Sequence, residues 1–163
     1  MNLEQEDKIV SQWHKYNVPV KVKKLDPRAT IPQYHTEGAA AFDMHAIVDE
    51  GQVIRVKPHS QKNLSTGLAM AIPMGYELRV SPRSGQAFKH QISIRNSPGI
   101  VDSGYTGEIM VAFVNNSDKV FIINHGDRIC QIKLSLAPRA VFREVEELEK
   151  TDRGDGGFGS TGV

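Results

Sequence analysis

Apolar residues recur at every second position along much of this chain, and that period is the strongest constraint on its fold. Tyr76, Leu78 and Val80 alternate with Glu77 and Arg79, and Cys130, Ile132, Leu134 and Leu136 alternate with Gln131, Lys133 and Ser135. Successive side chains of an extended chain point to opposite faces, so each segment reads as a half-buried strand. Val18–Val22 reads as a first strand, and the nearly all-apolar run Glu108–Val114 as a buried one. Turn formers punctuate these runs: Asp49-Glu50-Gly51, Pro73-Met74-Gly75 and Asn124-His125-Gly126-Asp127. Asn115-Asn116-Ser117-Asp118 is expected to close a hairpin to Val120–Ile123. Short strands at close spacing, with one short helical stretch near Ser84–His90, predict an all-β sandwich or barrel-like fold.

At 163 residues the chain is one domain's length and long enough to bury a real core. Its organisation reads as an N-terminal arm over 1–17, a β core over 18–142, a charged connector over 143–152 and a tail over 153–163. Leu3, Val10 and Trp13 can share one face of a short helix in the arm, which is marginal by itself. Five of the 14 glycines fall in the last eleven residues. No apolar set there offsets the entropy of ordering, so the isolated tail is expected to be flexible.

Twenty Lys and Arg against 19 Asp and Glu leave a net charge of +1, which gives no electrostatic reason to expect a nucleic acid or an anionic membrane as partner. The longest apolar run is too short for a membrane-spanning helix. Cys130 is the single cysteine, which excludes an internal disulfide and a multi-cysteine zinc site, and no HExxH pattern is present. The acidic, leaderless start predicts a cytoplasmic protein.

Five segments carry residues that a plain β core does not need. The tail places open main-chain N–H groups beside Ser160 and Thr161, a lining suited to phosphate oxygens, with Arg153 for charge and Phe158 as a stacking surface. It lacks the GK[ST] ending of a Walker loop. Ser81-Pro82-Arg83-Ser84-Gly85 follows a strand and reads either as an ordinary strand-to-helix turn or as a phosphate cradle. In the turn-rich stretch from Asn96 to Glu108, Asp102 beside apolar Val101 serves either as a base or as a turn cap. Within Gly126-Asp127-Arg128-Ile129-Cys130-Gln131, Cys130 belongs to the core series while Gln131 faces the other way with its amide free for a ligand. Gly38–Ala46 combines small residues with one charge, Asp43.

Taken in order, these segments resemble the five motifs of the trimeric deoxyuridine triphosphatase (dUTPase) family, from about Val18 to Gly162. RGDGGFGSTG and GIVDSGYTGE are the most specific matches, and PRSG and GDRICQI stand at the expected places. The resemblance implies a distorted jelly-roll-like, β-clip barrel with one short internal helix. It also implies hydrolysis of dUTP to dUMP and pyrophosphate, which limits uracil incorporation into DNA and supplies dUMP for dTMP synthesis. The implied cofactor is Mg2+, held mainly by the substrate phosphates and water.

By similarity, Asp102 orients and deprotonates the attacking water, with Asp43 in support of the metal's water shell or of the catalytic residues. Tyr105 packs on the deoxyribose and leaves no space for a 2′-hydroxyl. A hairpin including Asn96, Gly99, Ile100, Val101 and Met110 reads the uracil. Arg83, Ser84, Gly85 and Gln131 hold the phosphates. The tail closes over the nucleotide through Arg153, Phe158, Gly159, Ser160 and Thr161. The family is homotrimeric with each site shared among three chains. The chain departs from the family's usual residues at Ala41, Met44, Gln86 and Cys130, which bears on packing more than on chemistry.

Two other readings compete. The related dCTP deaminase branch shares the fold, but its deaminating glutamate has no clear counterpart here beyond Glu108. The second is a nucleotide-gated regulatory protein, for which the arm over 1–17 is the natural contact with a protein partner.

Overall fold

A computed structural model describes residues 17–156. The described chain contains ten strands and one helix: β1 (Lys21–Lys24), β2 (Phe42–His45), β3 (Ile54–Val56), β4 (Ser60–Ala71), β5 (Tyr76–Ser81), α1 (Ser84–His90), β6 (Ile92–Ile94), β7 (Gly99–Asp102), β8 (Glu108–Asn115), β9 (Phe121–Ile123) and β10 (Arg128–Leu136). Two antiparallel four-stranded sheets, ordered β1-β4-β8-β6 and β2-β10-β5-β7, share one core, and β3 and β9 form a separate ribbon. The all-β expectation and the single internal helix both hold. The arm expected over 1–17 lies outside the described residues apart from Asn17.

Alternation does the sorting that the sequence predicts. In β5, Leu78 and Val80 are buried while Arg79 is exposed, and in β8 Ile109, Val111 and Phe113 face inward while Met110 faces out. Each large side chain taken from water in this way contributes about 1.5–3 kcal/mol before entropy is counted. The β10 series is buried at Cys130 and Ile132 but frays outward, leaving Leu136 at 68% exposure. Met44 and Cys130, two of the departures from family pattern, are cross-strand partners in the core. The first strand begins at Lys21, three residues later than expected.

One expectation is overturned. Phe121–Ile123 does not return along β8 as a hairpin but pairs with β3, Ile54 opposite Ile123 and Val56 opposite Phe121. The fully buried side chain of Asn115 is the reason. Its Nδ2 donates to the carbonyls of Val56 (3.0 Å), Lys57 (3.2 Å) and Lys119 (2.7 Å), and its Oδ1 accepts from Ser117. A buried amide left unpaired is costly, so these partners fix the route of the chain across to β3.

β4 is the longest strand and is bent between Ser65 and Ala69. Gly67 sits there at φ +65°, where a Cβ would meet Ala29 and Ile47 at 3.0 Å. The Glu108 carboxylate fixes this bend by accepting from the Ser65 hydroxyl and from the Gly67 N–H (2.8 Å). That engagement gives Glu108 a structural task.

Candidate active site

The residues that sequence analysis singles out gather at two places. The first is a cleft of about 220 Å3 between β7 and β8, lined by Asn96, Gly99, Ile100, Val101, Asp102, Tyr105 and Met110 together with Glu108 and apolar side chains from β5, β6 and β8. It exists because β7 and β8 join different sheets instead of pairing as a hairpin. β7 is an edge strand, so one row of its main-chain groups is unclaimed by the ladder. β6 pairs with β8 only from Phe113 to Asn115, which leaves the β8 edge at Met110 open on the same side. Two free strand edges facing one cleft supply donors and acceptors suited to the edge of a planar base.

Several details shape this cleft. Gly99 lies where a Cβ would stand 3.1 Å from Asn96 Nδ2, so glycine is what lets the Asn96 amide close on β7. The Ser97–Pro98 peptide between them is cis. Tyr105 N–H donates to the Asp102 carbonyl (3.0 Å), turning the chain directly after the carboxylate. The Tyr105 hydroxyl donates to the Glu108 carbonyl (2.8 Å), which lays the ring across Gly107. A Cβ at Gly107 would stand 2.7 Å from that hydroxyl oxygen. Asp102 is exposed at the end of β7.

The second place is a charged cluster at the start of α1. Asp43 Oδ1 accepts from Arg83 Nε (3.0 Å), and its Oδ2 faces Arg128 Nη1 (3.2 Å) and His35 Nε2 (3.3 Å). The carboxylate is only 12% exposed, so its cationic partners satisfy a charge that burial would otherwise penalise. Gln131 lies opposite Asp43 on β2 and opposite Ser81 on β5, and its Nε2 donates to the Pro82 carbonyl (2.9 Å). Arg83, Ser84 and Gly85 follow at the opening of α1, where early helical N–H groups lack intrahelical acceptors. His45 stands nearby, and burial holds its imidazole below the ordinary range. Sequence reasoning missed His35 and Arg128 as partners of Asp43, since nothing local signals either contact.

Arg153 lies apart from both places, and its Nε donates to the Gly156 carbonyl (3.1 Å). Phe158, Gly159, Ser160 and Thr161 lie outside the described residues. Among the described residues no three His, Cys, Asp or Glu side chains gather into a metal cage. Asp43, with both oxygens engaged by cations, is unsuited to direct coordination. No helix among the described residues is long and apolar enough to cross a membrane.

Comparison with known proteins gives the family. A deoxyuridine 5′-triphosphate nucleotidohydrolase of Helicobacter pylori is 47% identical over 144 residues, covering 88% of this chain and 97% of its own length. One from Nautilia profundicola is 48% identical over 143 residues, covering 88% and 98%. Among solved structures, a Staphylococcus bacteriophage 80alpha dUTPase mutant with dUpNHpp superposes with a TM-score of 0.77 at 23% identity, covering 90% of this chain and 100% of that one. A phage phi11 dUTPase mutant, described with a coordinated structural Mg(II) ion, gives 0.71 at 23% identity, covering 82% and 100%. The dUTPase family model matches residues 27–162, and with these relatives it establishes that the chain belongs to the dUTPase family.

Proposed function

We infer that dUTP hydrolysis, the family's reaction, proceeds here in composite sites, each taking its base end from one subunit and its phosphate end from another. The observation that carries this is a separation. Asp102 pairs with Glu77 near the start of β5, whereas Gln131 pairs with Ser81 at its end. Four residues of strand at about 3.3 Å each put roughly 13 Å along β5 between those pairs, a span that favours supplying the Asp102 cleft and the Arg83 phosphate cluster from different chains. A homotrimer that brings the cleft of one copy against the Arg83 cluster of the next removes the gap.

In this reading Asn96, Gly99, Ile100, Val101 and Met110 hold the uracil in the cleft between β7 and β8. Tyr105, pinned through its hydroxyl, packs on the deoxyribose and excludes a 2′-hydroxyl. Asp102 takes a proton from the water whose oxygen attacks the α-phosphorus, and the bond to the bridging oxygen breaks, releasing pyrophosphate and dUMP. Arg83, Ser84, Gly85 and Gln131 hold the phosphate chain, and Asp43 fixes Arg83 in place. Bound Mg2+, carried on the phosphate oxygens and water, supplies charge neutralisation. Arg153, Phe158, Gly159, Ser160 and Thr161 are assigned to contacts with the nucleotide, Phe158 with the base and the others with the phosphates. A cytoplasmic location fits this chemistry.

The test is pyrophosphate release from dUTP with Mg2+ by the purified protein and by Asp102→Asn. The variant is expected to bind dUTP normally while turnover falls about 10²–10⁴-fold. Full activity in Asp102→Asn, or equal turnover of dTTP by the parent protein, contradicts the assignment.

A further inference from the structure

No residue of the turn from Pro82 to Gln86, or of α1, is fully buried. Polar ties hold the turn. Gln131 donates to the Pro82 carbonyl (2.9 Å), Arg83 donates to Asp43 (3.0 Å), and Gln86 Nε2 donates to the Arg128 carbonyl (2.7 Å). All three reach across to β2 and β10. Arg128 sits where β10 slips register against β2, a place where a bulge takes main-chain groups off the ladder. The first two ties join residues already given a role at the phosphates, whereas the third does not.

We propose that Gln86 is a positioning residue for the phosphate end of the site. By fixing the Arg128 main chain it directs Arg128 Nη1 onto Asp43 Oδ2 (3.2 Å). Asp43 is thereby held with its other oxygen on Arg83 Nε. The chain Gln86–Arg128–Asp43–Arg83 sets the direction of the Arg83 guanidinium before any nucleotide arrives. This rests on the assignment of Arg83 to the phosphates.

Two substitutions separate this role from mere folding. Gln86→Met keeps the length and removes the donor, and Gln86→Glu sets a carboxylate against the Arg128 carbonyl. Affinities for dUpNHpp and for 2′-deoxyuridine, which carries no phosphate, are measured for both variants, for Arg83→Ala and for the parent protein, with thermal melting alongside. Both Gln86 variants are expected to lose about two- to tenfold in dUpNHpp affinity, the worth of one such hydrogen bond, while deoxyuridine affinity stays within about twofold. Equal losses for the two ligands, or no loss for either while Arg83→Ala weakens dUpNHpp, overturn the proposal. If Arg83→Ala leaves dUpNHpp affinity unchanged, the phosphate assignment falls, and this inference falls with it.

Discussion

Glu77, near the start of β5, stands opposite Asp102 on β7, and Ser81, at its end, stands opposite Gln131 on β10. In the proposed site the strand carries the base end and the phosphate end on a single element, and the two would meet only between subunits. Mixing two inactive variants tests this directly. Asp102→Asn and Arg83→Ala, unfolded together and refolded at equal amounts, are expected to recover about a quarter of parental activity, because random assembly pairs an intact cleft with an intact cluster at about one site in four. Absence of recovery in well-folded mixed trimers would place the whole site within one chain.

Gly107→Ala is expected to damage sugar discrimination more than stability. The added methyl would lie 2.7 Å from the Tyr105 hydroxyl oxygen and 2.8 Å from Cζ, so the ring must leave its place. The measurement is the ratio of kcat/KM for dUTP to that for UTP, with an expected fall of about tenfold. An unchanged ratio would mean that the ring does not set the preference for deoxyribose.

Cys130 is fully buried, and burial pushes its thiol up to about 12. The reactive thiolate is therefore scarce at pH 8. A colorimetric thiol reagent is expected to leave the native protein untouched and to react at one site per chain in denaturant. Rapid native labelling would contradict the packing of Cys130 against Met44.

Asp26 gives the acid limb a defined contribution. The Arg28 guanidinium, then the Arg28 main-chain N–H, hold its carboxyl down from the ordinary 3.8 to about 2. A carboxylate that stays charged to lower pH in the folded state stabilises it above pH 4, and that contribution disappears as pH falls from about 4 towards about 2. Carboxyl chemical shifts should report this low midpoint in the parent protein, and Arg28→Ala should return it towards 3.8.

The legible parts of this structure were those set by short-range pattern. Alternation marks β5 and most of β10, the continuous apolar run Glu108–Val114 marks nearly all of β8, and the short helical stretch expected near Ser84–His90 coincides with α1. β4 escaped notice because its first residues are polar and its later ones are buried in succession across the Gly67 bend, which erases the period of two. β9 was misassigned because its partner is decided by Asn115, whose buried amide binds segments far apart in sequence. Asp43, Asp102, Gln131, Arg153, Phe158, Ser160 and Thr161 stand out by residue chemistry, whereas the role expected of each comes from family likeness. The division of the candidate residues into two separated groups follows from strand order, whereas His35, from the connection before β2, and Arg128 reach Asp43 through side-chain contacts that no local pattern signals.

The bare helix α1 has a dynamic consequence. With no fully buried side chain it can unwind by releasing a few polar contacts and the His90–Phe121 ring contact, whereas opening β4 or β8 exposes Leu64, Leu68 and Phe113. Amide protons of α1 therefore exchange through local opening, and those of the two long strands through events close to global unfolding. The phosphate-facing turn rides on a soft latch mounted on a stiff frame, so substitutions that loosen the latch alter ligand capture while the melting temperature barely moves.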